Sequence, residues 1–403
     1  MKKRKKQKWM KFRHRIVWNL AAMALRPYSR WKYGITVQRF REQGKRPYLI
    51  LYNHQTAFDQ FFVGMAFRGP VYYLASEDLF SKGWVSSLIR FIVAPIPIKK
   101  QTTDIGAVMN CIRVAREGGT IAIAPEGNRT YSGKTEYMSS AIAPLAKKLK
   151  LPIAFFRLEG GYGVHPRWSD EIRKGKMRGY VSAVLEPEEY AGMTNEQLYD
   201  RIQQELWQDE GVADSLFLSD NRAEYLERAM YVCPVCGLSE FESRENTIRC
   251  KKCGVTVTYG EDKTLTGKEF PFQFVTQWYD YQKAFVNKLN VMEHTENPLY
   301  RDEANLSEVI LYQKKVPLRE NAQLALYGDR IVIDEGKSDE MVLQFTDIMA
   351  LSVLGKNLLN IYYGDRLYQI KSHKRFNALK YVNIYFRHKN IVRGDINGEF
   401  LGL

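Results

Sequence analysis

The sequence predicts an α/β domain with a largely parallel sheet, then a cysteine-bearing segment, then a β-rich C-terminal domain. Short apolar strands alternate with helical segments over residues 45–210, two pairs of cysteines follow, and short strands recur after about residue 306. Alternation of strands and helices is typical of parallel sheets. The predicted regions are, in order, a basic amphipathic arm, the α/β domain, a linker helix with a cysteine ribbon, an aromatic-rich helical linker and the β-rich domain: 1–41, 42–212, 213–262, 263–305 and 306–403.

Composition and length exclude several classes of protein. The 403 residues are 45% hydrophobic and 26% charged, which is typical of a globular chain rather than a disordered or collagen-like one. The best uncharged apolar run, 16–25, is shorter than the about 20 residues that a membrane span needs, and no convincing cleavage site follows it. Five cysteines cannot all pair, which favours a reducing cytoplasmic setting.

The positive charge is concentrated at the N-terminus. The chain carries +15, and residues 1–41 hold fourteen Lys and Arg and no acid, so residues 42–403 carry only +1. An apolar stripe at helical spacing lies beside the basic residues: Trp9, Phe12, Ile16, Leu20 and Met23. This pattern favours a helix lying on an anionic membrane, at the inner face of the cell membrane. A solvated tail, a nucleic-acid-binding arm and a helix docked on the protein's own core are the alternatives.

The elements of the α/β domain follow from local patterns. Short apolar runs predict strands, whereas amphipathic or capped segments predict helices. The predicted strands are 47–52, 71–75, 95–98, 120–124, 153–158 and 180–185. The predicted helices are 58–67, 84–92, 103–116, 141–149 and one that begins with a capping box at Thr194.

Beyond residue 212 the pattern changes. A short helix is predicted over 221–230, and an aromatic-rich helix over 272–289. Short strands follow at 309–312, 322–326, 330–333, 341–345, 359–363 and 366–371, and a closing helix at 375–386. This β-rich end looks like a pleckstrin-homology-type barrel.

Four cysteines form two Cys-x2-Cys pairs that are thirteen residues apart: Cys233 with Cys236, and Cys250 with Cys253. Their spacing is that of a zinc ribbon. Four thiolates complete a tetrahedral shell, so the predicted Zn²⁺ is structural and has no open position for catalysis. A dithiol redox pair is the alternative, although such proteins usually carry one motif. We expect Cys111 to be an inert core residue.

A histidine and an acid follow directly on the first strand of the α/β domain. On one continuous helix His54 and Asp59 would lie about 140° apart, but at a strand-to-helix turn they can meet. An Asp that holds one ring nitrogen leaves the other available as a base. The alternative is a purely structural His–Asp pair.

A second polar turn follows the strand at 120–124. Its sequence is Pro125-Glu126-Gly127-Asn128-Arg129. The carboxyl edge of an open α/β sheet is where ligands bind, so Arg129 is a candidate phosphate ligand. A local salt bridge between Glu126 and Arg129 is the alternative.

Together these segments resemble the glycerolipid acyltransferase family, whose founding activity is the acylation of lysophosphatidate. The pair His54-x4-Asp59 is similar to its catalytic motif, and residues 125–129 are similar to its phosphate-binding block, with Asn where Thr is usual. Residues 94–100 resemble the intermediate block, in which Lys100 replaces the usual Arg. Residues 151–153 resemble the last, proline-containing block. The resemblance covers about residues 45–210.

The resemblance implies a peripheral membrane enzyme that moves a fatty acyl group from an acyl-CoA or acyl-carrier-protein thioester to the hydroxyl of a lysophospholipid, above all lysophosphatidate. It implies His54 and Asp59 as the catalytic pair. It implies a substrate-binding set of Lys100, Glu126, Gly127 and Arg129. A nucleic-acid-binding zinc ribbon protein and a catalytically silent lipid-binding scaffold are the alternatives. Since the ribbon region is close to neutral, nucleic acid is not the expected partner.

Overall fold

A computed structural model describes residues 8–44, 46–80, 84–98, 104–212, 215–310, 315–398 and 400–402. The chain divides into two compact units. The first unit holds the chain up to Arg129, with Met138–Gly161 and Lys176–Gln208. The second unit holds Thr130–Tyr137, Tyr162–Gly175 and the chain from Asp209 onward.

The first unit contains a seven-stranded sheet. Its strands are β1 (Ile35–Val37), β2 (Leu49–Tyr52), β3 (Val71–Ser76), β4 (Ile96–Ile98), β5 (Thr120–Ile123), β6 (Ile153–Glu159) and β7 (Met177–Leu185), in the order β1-β7-β6-β2-β5-β3-β4. The five strands from β6 to β4 are parallel, and β7 runs antiparallel to β6. All four residues of β2 are buried, as suits a strand covered on both faces. The predicted mainly parallel sheet is confirmed.

Helices alternate with these strands along the chain. They are α1 (Phe12–Tyr33), α2 (Asp59–Ala66), α3 (Trp84–Ile92), α4 (Ile105–Arg116), α5 (Ile142–Leu149), α6 (Gly161–Val164), α7 (Pro187–Ala191) and α8 (Asn195–Leu206), with a 3-10 turn at Glu77–Phe80. The four-residue α6 lies where the chain passes from the first unit into the second. The predicted capping box of Thr194 is present at the start of α8.

The N-terminal helix departs from the predicted stripe in one respect. Trp9 precedes α1, and its indole Nε1 donates a hydrogen bond to the Ala94 carbonyl at 2.9 Å. The other members of the stripe do lie exposed on α1: Phe12, Ile16, Leu20 and Met23. Trp18 instead is buried against Gly64 of α2, where an added Cβ would lie 2.5 Å from the indole. Within the described residues no helix is long and apolar enough to cross a bilayer.

The second unit is rich in antiparallel strands. Small sheets are formed by β8 (Val232–Cys233) with β9 (Gly237–Leu238), and by β10 (Phe241–Arg244), β11 (Thr247–Cys250), β12 (Thr256–Tyr259) and β13 (Leu265–Thr266). The helix α9 (Val275–Lys288) and a 3-10 turn at Val291–His294 follow.

A larger seven-stranded antiparallel sheet follows these elements. Its strands are β14 (Tyr300–Glu308), β15 (Val316–Leu326), β16 (Arg330–Ile333), β17 (Met341–Gln344), β18 (Ile348–Leu354), β19 (Leu358–Tyr363) and β20 (Arg366–Ser372). The strand order is β17-β16-β15-β14-β20-β19-β18. The helix α10 (Leu379–Val392) comes last, and ten of its residues are buried. A β-rich C-terminal half is therefore confirmed.

The helix predicted over 221–230 is wrong. This segment forms turns and a short 3-10 helix at Leu226–Arg228. Two of its backbone amides bond outside the segment: Ala223 N donates to the Glu245 carbonyl, and Tyr225 N donates to Ser243 Oγ at 2.7 Å. Tyr225 also takes a left-handed φ of 73°, which a helix does not allow.

Two short segments from the middle of the chain belong to the core of the second unit. Tyr131 and Trp168 are both fully buried there. The Tyr131 hydroxyl donates to the Lys356 carbonyl at 2.9 Å, and Arg167 Nε donates to the Gly355 carbonyl at 2.8 Å. The second unit is therefore assembled from three stretches of sequence.

Candidate active site

The site is built where β2 ends and α2 begins. His54 lies two residues beyond β2, and Asp59 is the first residue of α2. The His54 Nδ1 lies 2.8 Å from Asp59 Oδ2. Since a carboxylate only accepts hydrogen bonds, the Nδ1 proton is assigned to this bond, and Nε2 is the nitrogen available as a base. The His54 side chain is 22% exposed, while that of Asp59 is fully buried.

The Asp59 carboxylate is surrounded by donors. Oδ2 accepts from His54 Nδ1 and from Gln55 N at 2.7 Å, and Oδ1 accepts from Thr56 N at 2.9 Å and Thr56 Oγ1 at 2.6 Å. These bonds hold residues 54–56 against the first turn of α2. They stabilise the charged carboxylate and fix its direction toward the imidazole.

The second polar turn reaches the same loop. β5 is paired with β2, with Ile123 opposite Leu51, so both strands end at one edge of the sheet. Glu126 is buried, and its Oε1 accepts from His54 N at 2.9 Å. Gly127 closes the turn with its N–H on the Ala124 carbonyl at 3.0 Å and a φ of 69°, which favours glycine. Glu126 thus fixes the backbone at His54.

Arg129 ends this turn and is only 8% exposed. It lies near enough to Tyr33 to affect the pKa of that phenol, as does Asp59. The structure therefore gathers His54, Asp59, Glu126 and Arg129 around one corner of the first unit. Lys100, the remaining predicted substrate ligand, lies outside the described residues.

The four cysteines gather in the second unit. Their sulfur atoms all lie within 4.8 Å of one another, with Cys233 to Cys253 and Cys236 to Cys250 both at 3.6 Å. A tetrahedral zinc site with bonds of about 2.3 Å places its sulfurs about 3.8 Å apart. The four thiols therefore fit a metal ion of this size.

Two polar contacts orient these sulfurs. Val235 N donates to Cys233 Sγ at 3.5 Å, and Ser239 Oγ lies 3.0 Å from Cys250 Sγ. N–H···S bonds of this kind stabilise thiolates that ligate metals. The fifth cysteine, Cys111, is separate: it is buried on α4, and burial raises the pKa of its thiol to about 12.

Comparison with known proteins bears on the first unit. Residues 34–156 match the Acyltransferase family model. The matched region contains His54, Asp59 and the turn at residues 125–129, and it ends before the four clustered cysteines.

Two individual proteins are similar to this chain. A 1-acyl-sn-glycerol-3-phosphate acyltransferase of Bacillus subtilis (strain 168) is 23% identical over 128 residues, which cover 32% of this chain. The matched region spans 60% of the length of that relative. The crystal structure of the 1-acyl-sn-glycerophosphate acyltransferase PlsC from Thermotoga maritima aligns with a TM-score of 0.41 and 18% identity, over 47% of this chain and 77% of that one.

Sequence reasoning missed two residues of the corner. The Asn53 side chain extends the β2–β6 pairing, since its Nδ2 donates to the Leu158 carbonyl at 3.0 Å and its Oδ1 accepts from Leu158 N at 2.8 Å. Tyr33 lies at the end of α1, with its ring centroid 5.2 Å from that of Phe58. Burial, with Tyr28 and Asp59, raises the pKa of Tyr33 to about 12, while Arg129 opposes the shift. No spacing rule connects residue 33 with residue 54.

Proposed function

We propose that the first unit transfers a fatty acyl group from an acyl thioester to the free hydroxyl of a lysophospholipid, with lysophosphatidate as the principal acceptor. The contact of 2.8 Å between His54 Nδ1 and Asp59 Oδ2 carries this proposal. The match of residues 34–156 to the Acyltransferase family model supports it.

The reaction uses His54 as the base. Its Nε2 takes the proton of the acceptor hydroxyl while the hydroxyl oxygen attacks the thioester carbonyl. Asp59 holds Nδ1 and stabilises the imidazolium that forms. When the tetrahedral intermediate collapses, the carbon–sulfur bond breaks, and the imidazolium returns its proton to the leaving thiolate. The products are an ester and a free thiol, on coenzyme A or on acyl carrier protein.

The acceptor phosphate is assigned to the turn after β5. Arg129 offers a guanidinium that can hold a phosphate with two hydrogen bonds. Gly127 is exposed at this turn and has no side chain that would obstruct a phosphate. Lys100 is proposed as a second cation for the phosphate. Glu126 acts indirectly, by accepting a hydrogen bond from His54 N.

Two further roles complete the proposal. The cysteine cluster of the second unit holds one Zn²⁺ and stabilises the ribbon around it. The basic helix α1 rests on an anionic membrane, which is the source of the acceptor lipid. The antiparallel sheet of β14–β20 with the closing α10 supports a pleckstrin-homology-like domain.

The direct test is a substrate panel with the purified full chain. Lysophosphatidate and lysolipids with other headgroups are each offered with acyl-CoA and with acyl-carrier-protein thioester, and products are identified by mass. We expect diacyl product with lysophosphatidate above the other acceptors. If no lysolipid is acylated, the catalytic proposal is wrong, and a silent lipid-binding scaffold takes its place. Tight, salt-sensitive binding of DNA or RNA by such an inactive chain would favour the hypothesis of a nucleic-acid-binding protein.

A further inference from the structure

An apolar surface lies on α3, outside the basic arm. Trp84, Leu88 and Phe91 are 74%, 44% and 57% exposed. At spacings of four and three residues they lie on one face of the helix. Three large apolar side chains on one face of a nine-residue helix form a patch that water disfavours, and such patches mark interaction sites.

This patch borders the exposed stripe of α1. Arg13 of α1 donates from Nε to the Phe91 carbonyl at 2.7 Å, and its guanidinium carbon lies 3.7 Å from the centroid of the Phe91 ring. Phe12, the neighbour of Arg13, is 78% exposed, and Ile16 follows one turn later at 47%. The two helices are therefore in contact in the first unit, and each carries exposed apolar side chains near that contact.

The charged residues within these two helices have one sign. The sequences of α1 and α3 contain no Asp or Glu. Their basic residues are Arg13, Arg15, Arg26, Arg30, Lys32 and Arg90. Exposed apolar side chains on helices that carry cations and no acids complement a bilayer with anionic headgroups.

We propose that α3 is a second membrane-docking element, and that its exposed face and the stripe of α1 dock together on an anionic bilayer. The charge pattern predicts membrane contact for the basic arm, residues 1–41, alone. The helix α3 begins more than forty residues after the end of this arm. The inference rests on the proposed function, since a docked first unit takes its acceptor from the bilayer.

The test measures vesicle binding by the full chain. Vesicles contain phosphatidylcholine with about a third phosphatidylglycerol, and the bound fraction is read by co-sedimentation. The double change Trp84→Ser with Leu88→Ser should weaken partitioning by about tenfold or more, because both side chains lose apolar burial. Trp84→Leu should bind better than Trp84→Ser, since it keeps an apolar group at that position.

The matched control is Trp207→Ser. Trp207 is 54% exposed and belongs to the same unit, but it follows α8 rather than α3. This variant should bind vesicles like the unchanged chain. Thermal unfolding of every variant is compared, so that loss of fold is separated from loss of docking.

Three results would overturn the proposal. They are unchanged binding by the Trp84→Ser, Leu88→Ser chain, an equal loss in Trp207→Ser, and equal binding by Trp84→Leu and Trp84→Ser. The assay needs no turnover, so it is independent of catalysis. A chain that docks through α3 but acylates no lysolipid contradicts only the proposed function, and the reverse outcome contradicts only this inference.

Discussion

Asp59 accepts hydrogen bonds at both carboxylate oxygens, from His54 Nδ1, the amides of Gln55 and Thr56 and the Thr56 hydroxyl. An amide at this position would turn an NH2 group toward an N–H, since Gln55 N and Thr56 N approach from the two sides. We predict that Asp59→Asn lowers the free energy of unfolding by about 1–3 kcal/mol. It should also lower acyl transfer by about 10²-fold or more, because the imidazolium loses its counter-charge.

The comparison variant is Asp104→Asn. Asp104 also lies in the first unit, where its Oδ1 accepts from Ala107 N at 2.9 Å as the N-cap of α4. Asn caps helices about as well as Asp, so both unfolding and acyl transfer should stay near their original values. Full activity in Asp59→Asn would show that its carboxylate charge is not used.

Substitutions at Gly127 and Gly118 distinguish the cost of backbone strain from the effect of changing the site. Both have a left-handed φ, of 69° and 85°, and neither has an atom within 4 Å of an added Cβ. Changing either to Ala should therefore cost about 1 kcal/mol of unfolding free energy through the backbone alone. Only Gly127→Ala should also impair acyl transfer, because it lies in the turn that ends with Arg129. Equal activity in the two variants would argue against a role for this turn.

At this scale the sequence predicted pairs that are close along the chain. His54 and Asp59 were foreseen because a strand-to-helix turn can bring residues five apart into contact. The bond from His54 N to Glu126 was not foreseen, since it depends on the pairing of β2 with β5, 72 residues later. Tyr33 was missed for the same reason: its position depends on how α1 packs on α2.

Among the elements, the cysteine ribbon allows a clean chemical test. We predict about one zinc per chain by elemental analysis, because four sulfurs within 4.8 Å match a tetrahedral shell. Cys250→Ser should abolish stoichiometric zinc and lower the unfolding temperature. Cys111→Ala also removes a thiol, but one that is buried on α4, so zinc content should not change. A well-folded, zinc-free protein purified without chelators would contradict the prediction.

Strands were predicted well where a continuous run of buried apolar residues is enough to identify them. The four residues of β2 and the last three of β5 are buried, and their continuous apolar runs show it. The helix predicted over 221–230 is wrong because two amides within it donate to Ser243 and Glu245, which are distant in sequence. Trp9 was misplaced because its indole binds the Ala94 carbonyl, and no helical period reveals such a contact.

On the scale of the whole molecule, the second unit includes two stretches that lie within the predicted α/β domain in sequence. Tyr131 and Arg167 donate to the carbonyls of Lys356 and Gly355, and Arg228 Nη1 donates to the Trp168 carbonyl at 2.8 Å. Domain boundaries read from composition do not reveal such excursions, because both stretches look like ordinary loops of the preceding domain.

A truncation to residues 1–212 tests this arrangement. The fragment keeps Tyr131, Arg167 and Trp168 but loses their partners, and each unsatisfied buried polar group costs about 1–3 kcal/mol. We predict that the fragment aggregates or unfolds at a lower temperature than the full chain, as seen by size-exclusion chromatography and thermal denaturation. Deleting only residues 2–7, which removes none of these partners, serves as the control. A monodisperse, cooperatively unfolding fragment would contradict the prediction.

The central claim is that His54 is the base in acyl transfer, and single-turnover kinetics of His54→Ala test it most directly. Purified full chain, lysophosphatidate and an acyl thioester are mixed, and the diacyl product is followed by mass. We predict that the rate falls by about 10²–10⁴-fold, the usual contribution of a general base, while thermal denaturation still shows a folded protein. His373→Ala, an exposed histidine of the second unit, should keep the original rate. A folded His54→Ala protein that retains substantial acyl transfer would contradict the mechanism.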